Sequence, residues 1–268
     1  MKRQVSIAVV GYVIVISLLA ACSSPKIQPV AAARPARLLT PLEFTNFTVH
    51  TNLTKAAVAT LMREKVKVGS ADDDAYLFLA LPASPSANNN PAQPPGLPVS
   101  GQRIRVETVE QYVEALKRDA RPFTTFDISM DSWFRPPAAT LLFLNQAEES
   151  RRSLLPKELP TKLLYSLPVR FLNYHGADRE ADRTLRHHPH SDKLWIFNSD
   201  PTSVQFEFNG KRYCLAELAR GDFNHDGFED SLVVILWHYL EGSGSGVELL
   251  LVEAVVHRPL KATYFPLP

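Results

Sequence analysis

The residues of this chain best suited to chemistry lie together in Gly221-Asp222-Phe223-Asn224-His225-Asp226-Gly227-Phe228-Glu229-Asp230. Side-chain oxygens recur at alternating positions, on Asp222, Asn224 and Asp226, and again on Asp230. Alternation around a tight turn aims such oxygens inward, and Gly227 permits the backbone reversal that bulkier residues resist. The carbonyl of Phe228 would join them. Carboxylates crowded this closely repel one another unless a cation lies between them. Hard oxygen donors in this number suit calcium, which takes six to eight of them at about 2.3 to 2.6 Å. The sequence therefore predicts one calcium ion held by Asp222, Asn224, Asp226, Phe228 and Asp230, with water completing the shell. Its expected role is structural, fixing a turn between two strands.

The loop resembles the calcium loops of FG-GAP repeats in integrin-type propellers and related bacterial repeats. That likeness covers only the loop and its flanking strands. The loop is also similar to the first nine positions of an EF-hand, with an informative departure. The position of the bidentate glutamate is Val233, inside an apolar run, and no helix is expected on either side. The strand-loop-strand version fits better. A single copy of the motif does not support a full propeller. The wider stretch from Leu154–Phe171 into Tyr213–Val234 looks like a group of bacterial envelope proteins sharing an ELARGDFN-DG-ED core, a resemblance that implies no activity.

The chain's start reads as an address. Lys2 and Arg3 precede an apolar run from Val5 to Ala21, the layout of a secretory signal. The run is at the short end of what spans a bilayer, so an uncleaved anchor is the competing reading. Leu19-Ala20-Ala21-Cys22 resembles a bacterial lipobox, which implies acylation of Cys22 and removal of residues 1–21. Ser23 after the cysteine implies, by the same resemblance, transfer to the outer membrane, with the body in the periplasm or exposed at the surface. Several acyl chains hold firmly, each buried methylene contributing about 0.8 kcal/mol. Residues 22–40 are rich in proline and small residues and read as a flexible tether, reaching roughly 40 to 50 Å if extended at about 3.1 Å per residue.

The body must position the loop. Composition is ordinary for a globular protein, at 45% hydrophobic and 21% charged, and a net charge of +1 gives no field to attract nucleic acid. With Cys22 acylated, Cys214 has no intramolecular disulfide partner. The expected class is α+β, a C-terminal antiparallel meander of four to five strands with the calcium loop, packed with helices from the N-terminal half. Residues 41–175 form the N-terminal α/β region and 176–268 the sheet region, as two domains or one.

Within the first region, Leu42–His50 alternates like a strand and Thr54 caps a helix to about Lys65. Tyr76–Leu81 reads as a buried strand, and 82–101 as an exposed or disordered loop. Thr108 with Gln111 makes a capping box for a helix to Arg118. Phe126–Met130 reads as a strand and Leu141–Leu144 as another apolar run. Prolines 156, 160 and 168 leave only short helical turns in Leu154–Tyr174, and Gly176–His187 reads as a charged, solvated helix. In the second region Asn209-Gly210 predicts a two-residue hairpin that pairs Phe208 with Lys211, Glu207 with Arg212 and Phe206 with Tyr213. Further strands are expected at Leu232–Leu240, Val247–Val256 and Ala262–Phe265, with a flexible turn at Glu241–Gly246.

Other candidates are weaker. His187, His188 and His190, with His175, could bind a transition metal, but a solvated loop suits their polar, proline-broken setting better. His225 should face solvent by alternation, and Asp72-Asp73-Asp74 reads as a solvated turn. Cys214 reads as a packed thiol, and Trp133, Phe134, Trp195 and Trp237 as core. The glycines at 242, 244 and 246 precede no helix, so they make no dinucleotide site. No catalytic constellation stands out. The leading expectation is a non-enzymatic envelope lipoprotein with another envelope protein as partner. The alternatives are a periplasmic hydrolase with dispersed catalytic residues and a small-ligand or carbohydrate binder, which an apolar pocket ringed by aromatics would favour.

Overall fold

A computed structural model describes residues 33–44, 47–49, 51, 53–66, 77–82, 102–172, 182–254 and 259–268. Cys22 with its leader, most of the proline-rich 82–101 stretch, Asp72-Asp73-Asp74, His175 and residues 176–181 lie outside the described residues; the rest of Gly176–His187 is a turn and a 3-10 helix with Leu185 buried, not a solvated α-helix.

The largest sheet grows from the hairpin that Asn209-Gly210 dictates. Both residues adopt positive φ, 51° and 74°, as a right-twisted two-residue turn demands. The turn joins β8 (Ser203–Phe208) to β9 (Lys211–Gly221), with Phe208 opposite Lys211, Glu207 opposite Arg212 and Phe206 opposite Tyr213. Strand β9 runs through the acidic loop into β10 (Asp230–Tyr239), which pairs with β11 (Ser245–Glu253) and that in turn with β12 (Lys261–Tyr264). Strand β7 (Trp195–Ser199), absent from the sequence expectation, adds to β8. The order is β12-β11-β10-β9-β8-β7, antiparallel throughout. A seventh strand, β1 (Arg37–Leu38), pairs with Arg220 and Ala219 of β9, beyond the point where β8 stops at Ala216. The expected tether thus ends earlier than residue 40, because its last residues fill an otherwise open sheet edge.

Each face of this sheet buries its own apolar cluster. One face packs Leu232, Val234, Leu249 and Leu251 under a long helix α3 (Thr125–Gln146). The other packs Phe206, Tyr213, Val233 and Ile235 against α4 (Leu159–Ser166) and the 3-10 turn Val169–Leu172. The class is α+β. Residues 32–268 form one compact unit rather than two, since α3 from the first half is itself the cover of the second.

The strand expected at Phe126–Met130 is overturned, and the apolar run Leu141–Leu144 is placed. Phe126–Met130 is helix, the first turns of α3, and Leu141–Leu144 is its last. Thr124 starts it with a capping box: its side chain accepts the amide of Asp127, whose carboxylate accepts that of Thr124. The C-terminal half of α3 is buried all round because it lies between the large sheet and smaller elements. These are α1 (Lys55–Leu61) and the three-stranded sheet of β4 (Leu77–Ala80), β5 (Arg103–Val106) and β6 (Arg121–Pro122). A helix without a polar face there lacks the usual periodicity. Leu42–His50 is a hairpin, β2 (Leu42–Phe44) and β3 (Phe47–Val49), rather than one strand. The helix capped by Thr108, α2 (Val109–Lys117), is as the spacing predicts, though Gln111 Oε1 accepts the amide of Glu107 instead of Thr108.

Candidate metal centre

The loop between β9 and β10 turns on two positive-φ residues, His225 at 63° and Gly227 at 86°. Only glycine takes that conformation without cost. The turn is closed by the acidic side chains. Asp222, 3% exposed, accepts the amide of Asp226 on Oδ1 at 3.0 Å and of Gly227 on Oδ2 at 2.7 Å. Asn224 Oδ1 accepts the same Asp226 amide, also at 3.0 Å. Asp226 Oδ1 accepts the amide of Phe228 at 2.8 Å. Asp230, 1% exposed, accepts the amides of Phe223 and Asn224 on Oδ2, leaving Oδ1 outside those bonds. Asp222, Asn224, Asp226 and Asp230 therefore all accept backbone amides within this one loop, in which Phe228 stands between the last two.

A base holds the loop in place. Glu148 and Asp222 exchange backbone hydrogen bonds, the amides of Arg151 and Arg152 donate to the Gly227 carbonyl, and the Glu229 amide donates to the Arg152 carbonyl. Phe223 stacks on Phe143 of α3 at 5.3 Å and packs against Phe265. His225 is half exposed, as alternation suggests, and its Nε2 lies 3.2 Å from the carbonyl of Gln146 at the end of α3.

Burial pushes the Asp230 carboxyl up to about 7, helped by the charges of Asp226 and Glu253 and opposed by its two amide donors. Among the described residues no lysine or arginine forms an ion pair with Asp222, Asp226 or Asp230. The donor set is all oxygen and, among the described residues, has backbone amides but no cationic side chain against its carboxylates, a composition compatible with a hard divalent cation. The preformed bonds do not by themselves place the oxygens around an ion, and no group of three acidic, histidine or cysteine side chains at metal-binding spacing occurs among the described residues.

Glu253, at the end of β11, is a neighbour that alternation within the loop could not show. Its Oε1 accepts from Asn224 Nδ2 at 2.8 Å, and its Oε2 from Lys261 at 2.5 Å. Behind the loop lies a second charged group the sequence reading missed. Glu217 and Arg220 are three apart in β9, a spacing that puts side chains on opposite faces of a regular strand. A bulge at Leu218 shifts the register between Ala219 and Glu217 and returns both to one face. Arg220 then donates to both Glu217 oxygens, at 2.6 and 2.9 Å, and Ser231 Oγ to Oε1 at 2.7 Å. Glu229 sits beside them, paired with Arg37 and Arg220. Charged residues inside an otherwise apolar strand were the available signal.

The remaining candidates resolve plainly. His188 is buried against Phe208, so the histidine stretch is not simply solvated: Pro189 and the turns around it fold it onto the sheet. Cys214 is half-buried, and burial raises its thiol pKa. Phe134 is core and Trp237 is half-buried, but Trp133 and Trp195 are 76% and 60% exposed, against expectation. Gly244 and Gly246 are pressed under the rings of Tyr239 and Trp237 rather than forming a merely flexible turn. Among the described residues no helix is long and apolar enough to cross a membrane. Comparisons of this chain with protein-family models, with curated proteins and with solved structures each find no match.

Proposed function

We propose that this protein is a lipid-anchored component of the bacterial cell envelope, held in the outer membrane through acylated Cys22. Its α+β body is stabilised by one calcium ion and serves as a binding or accessory module rather than an enzyme. Asp222, Asn224, Asp226, the Phe228 carbonyl and Asp230 would hold the ion, with Glu253 at its margin. The observation that carries the calcium reading is the convergence of Asp222 and Asn224 oxygens on one amide, beside a buried Asp230 with no cationic partner. The ion would neutralise that charge and lock the β9–β10 turn. The anchor rests on the residues 19–22 pattern alone.

Two measurements test the reading. Calcium should raise the melting temperature of the protein over that in chelator, and Asp226→Ala should abolish the rise; an equal rise in both proteins refutes the site. In cells fed labelled palmitate, the wild type should take up label and Cys22→Ser should not. Equal labelling of the two refutes the anchor.

A further inference from the structure

The sheet face under α3 is covered only along part of its length. The C-terminal half of α3 is buried, whereas its N-terminal half stands off and leaves a cleft of about 640 Å³ against the β8–β11 end of the sheet. That volume is in the range of small-molecule sites. Its floor is two cross-strand rows, Gln205–Cys214–Leu236–Val247 and Arg212–His238–Ser245. Its wall is Thr125, Ile128, Ser129, Ser132 and Trp133, the i, i+3, i+4, i+7, i+8 face of α3. The most exposed large apolar side chain among those described, Trp133, stands in this wall.

Two prolines shape the wall. Pro136 and Pro137 lie inside α3 and have no amide to offer. The carbonyls of Ser132 and Trp133 therefore lack the donors four residues on that a regular helix supplies. Both residues line the cleft. The cleft combines an exposed indole, planar polar side chains on Gln205 and Arg212, and serine hydroxyls.

From this combination we infer that the cleft is a binding site for an oligosaccharide. A pyranose ring presents an apolar C–H face, which packs on the face of an indole, and a rim of hydroxyls that both donate and accept. A lipid would strand Arg212, His238 and the serine hydroxyls without water. A phosphate would find one guanidinium, already held by Glu207 at 2.6 and 2.9 Å. Arg212 is already neutralised by Glu207, so a neutral sugar suits the lining at least as well as a carboxylate-bearing one. The inference names a ligand class for the binding role proposed above. It lies eight residues along β9 from the acidic loop, about 26 Å at the rise of a strand, so its failure and that of the calcium site are separately readable.

The test is calorimetric titration of the full-length protein in detergent with cellotetraose and with tetragalacturonate. Saturable binding of either sugar is expected. Trp133→Ala should weaken it about tenfold or more. Trp195→Ala, which removes an exposed indole outside the cleft lining, should leave it unchanged. Trp133 is 76% exposed, so its loss should leave the fold intact, and an unchanged melting temperature of the variant would show this. Binding of neither sugar at millimolar concentration overturns the inference, as does binding that Trp133→Ala leaves as tight as before.

Discussion

Arg37 reaches from β1 to the acidic-loop end of the sheet and sets its Nη1 2.7 Å from Oε1 of Glu229, a residue 1% exposed. A segment expected to be tether therefore supplies the nearest countercharge to a buried carboxylate. Arg220 is the other cation, 3.6 Å from Glu229 Oε2, and is itself shared with Glu217. Removing Arg37 leaves Glu229 with half of its compensation. Breaking a wholly buried pair costs about 3 to 5 kcal/mol; Arg37 is 37% exposed, so water repays part of the loss. Arg37→Met should destabilise the body by about 1 to 2 kcal/mol. Urea titration should show a lower midpoint with an unchanged slope; an unmoved midpoint would mean that β1 only rests on the surface.

A second consequence concerns Gly246. A Cβ built there would lie 2.5 to 2.7 Å from atoms of the Trp237 ring. Trp237 is in turn held from its other side, with the ammonium of Lys211 4.5 Å from its ring centre and Tyr239 edge-on at 5.6 Å. Gly246→Ala must move the indole and should cost about 1 to 3 kcal/mol, the range for overpacking. Near-ultraviolet circular dichroism should change together with the melting temperature. A variant with wild-type spectra and stability would show that the ring gives way freely.

Asp200 offers a test by pH. It closes the β7–β8 turn, with Oδ1 accepting the amides of Thr202 and Ser203 and Oδ2 the Ser203 hydroxyl. The Ser203 hydroxyl bond first, then the bonds from Thr202, lower its pKa below the ordinary carboxylate value. A carboxyl depressed in the folded state stabilises above its unfolded pKa, and loses that contribution as pH falls through the folded one. Asp200→Ala should therefore melt below the wild type at about pH 6, and the gap should close towards about pH 2.5. A gap constant over that span would assign the effect to packing. Because the side chain is exposed, the change should be small.

The hairpin at Asn209-Gly210 was legible to the residue, because two positive φ angles and a two-residue turn leave one register. The acidic loop was legible as a turn between two strands, because a glycine among alternating polar residues is a local constraint, although its second positive-φ position, His225, was not. Helix α3 was not. Its cap at Thr124 is local and was there to be read, but Pro136-Pro137 and a stripe of apolar residues buried on every side mask helical period.

What the sequence alone determined, then, is what short-range backbone geometry decides: the turn, the loop, the caps of α1 and α2, and the α+β class. The calcium and the lipid anchor remain proposals drawn from residue patterns. Tertiary structure decided the rest. A one-residue bulge at Leu218 turned Glu217 and Arg220 to the same face, a change no spacing rule anticipates. Arg37 became the partner of Glu229 because an edge of β9 was open to a segment 183 residues earlier. Trp133 came to line one cleft with Arg212 and Gln205 because α3 is laid across the sheet that carries them. Each depends on which chain segments meet, and the free energy of such a meeting belongs to the pair and not to either stretch of sequence.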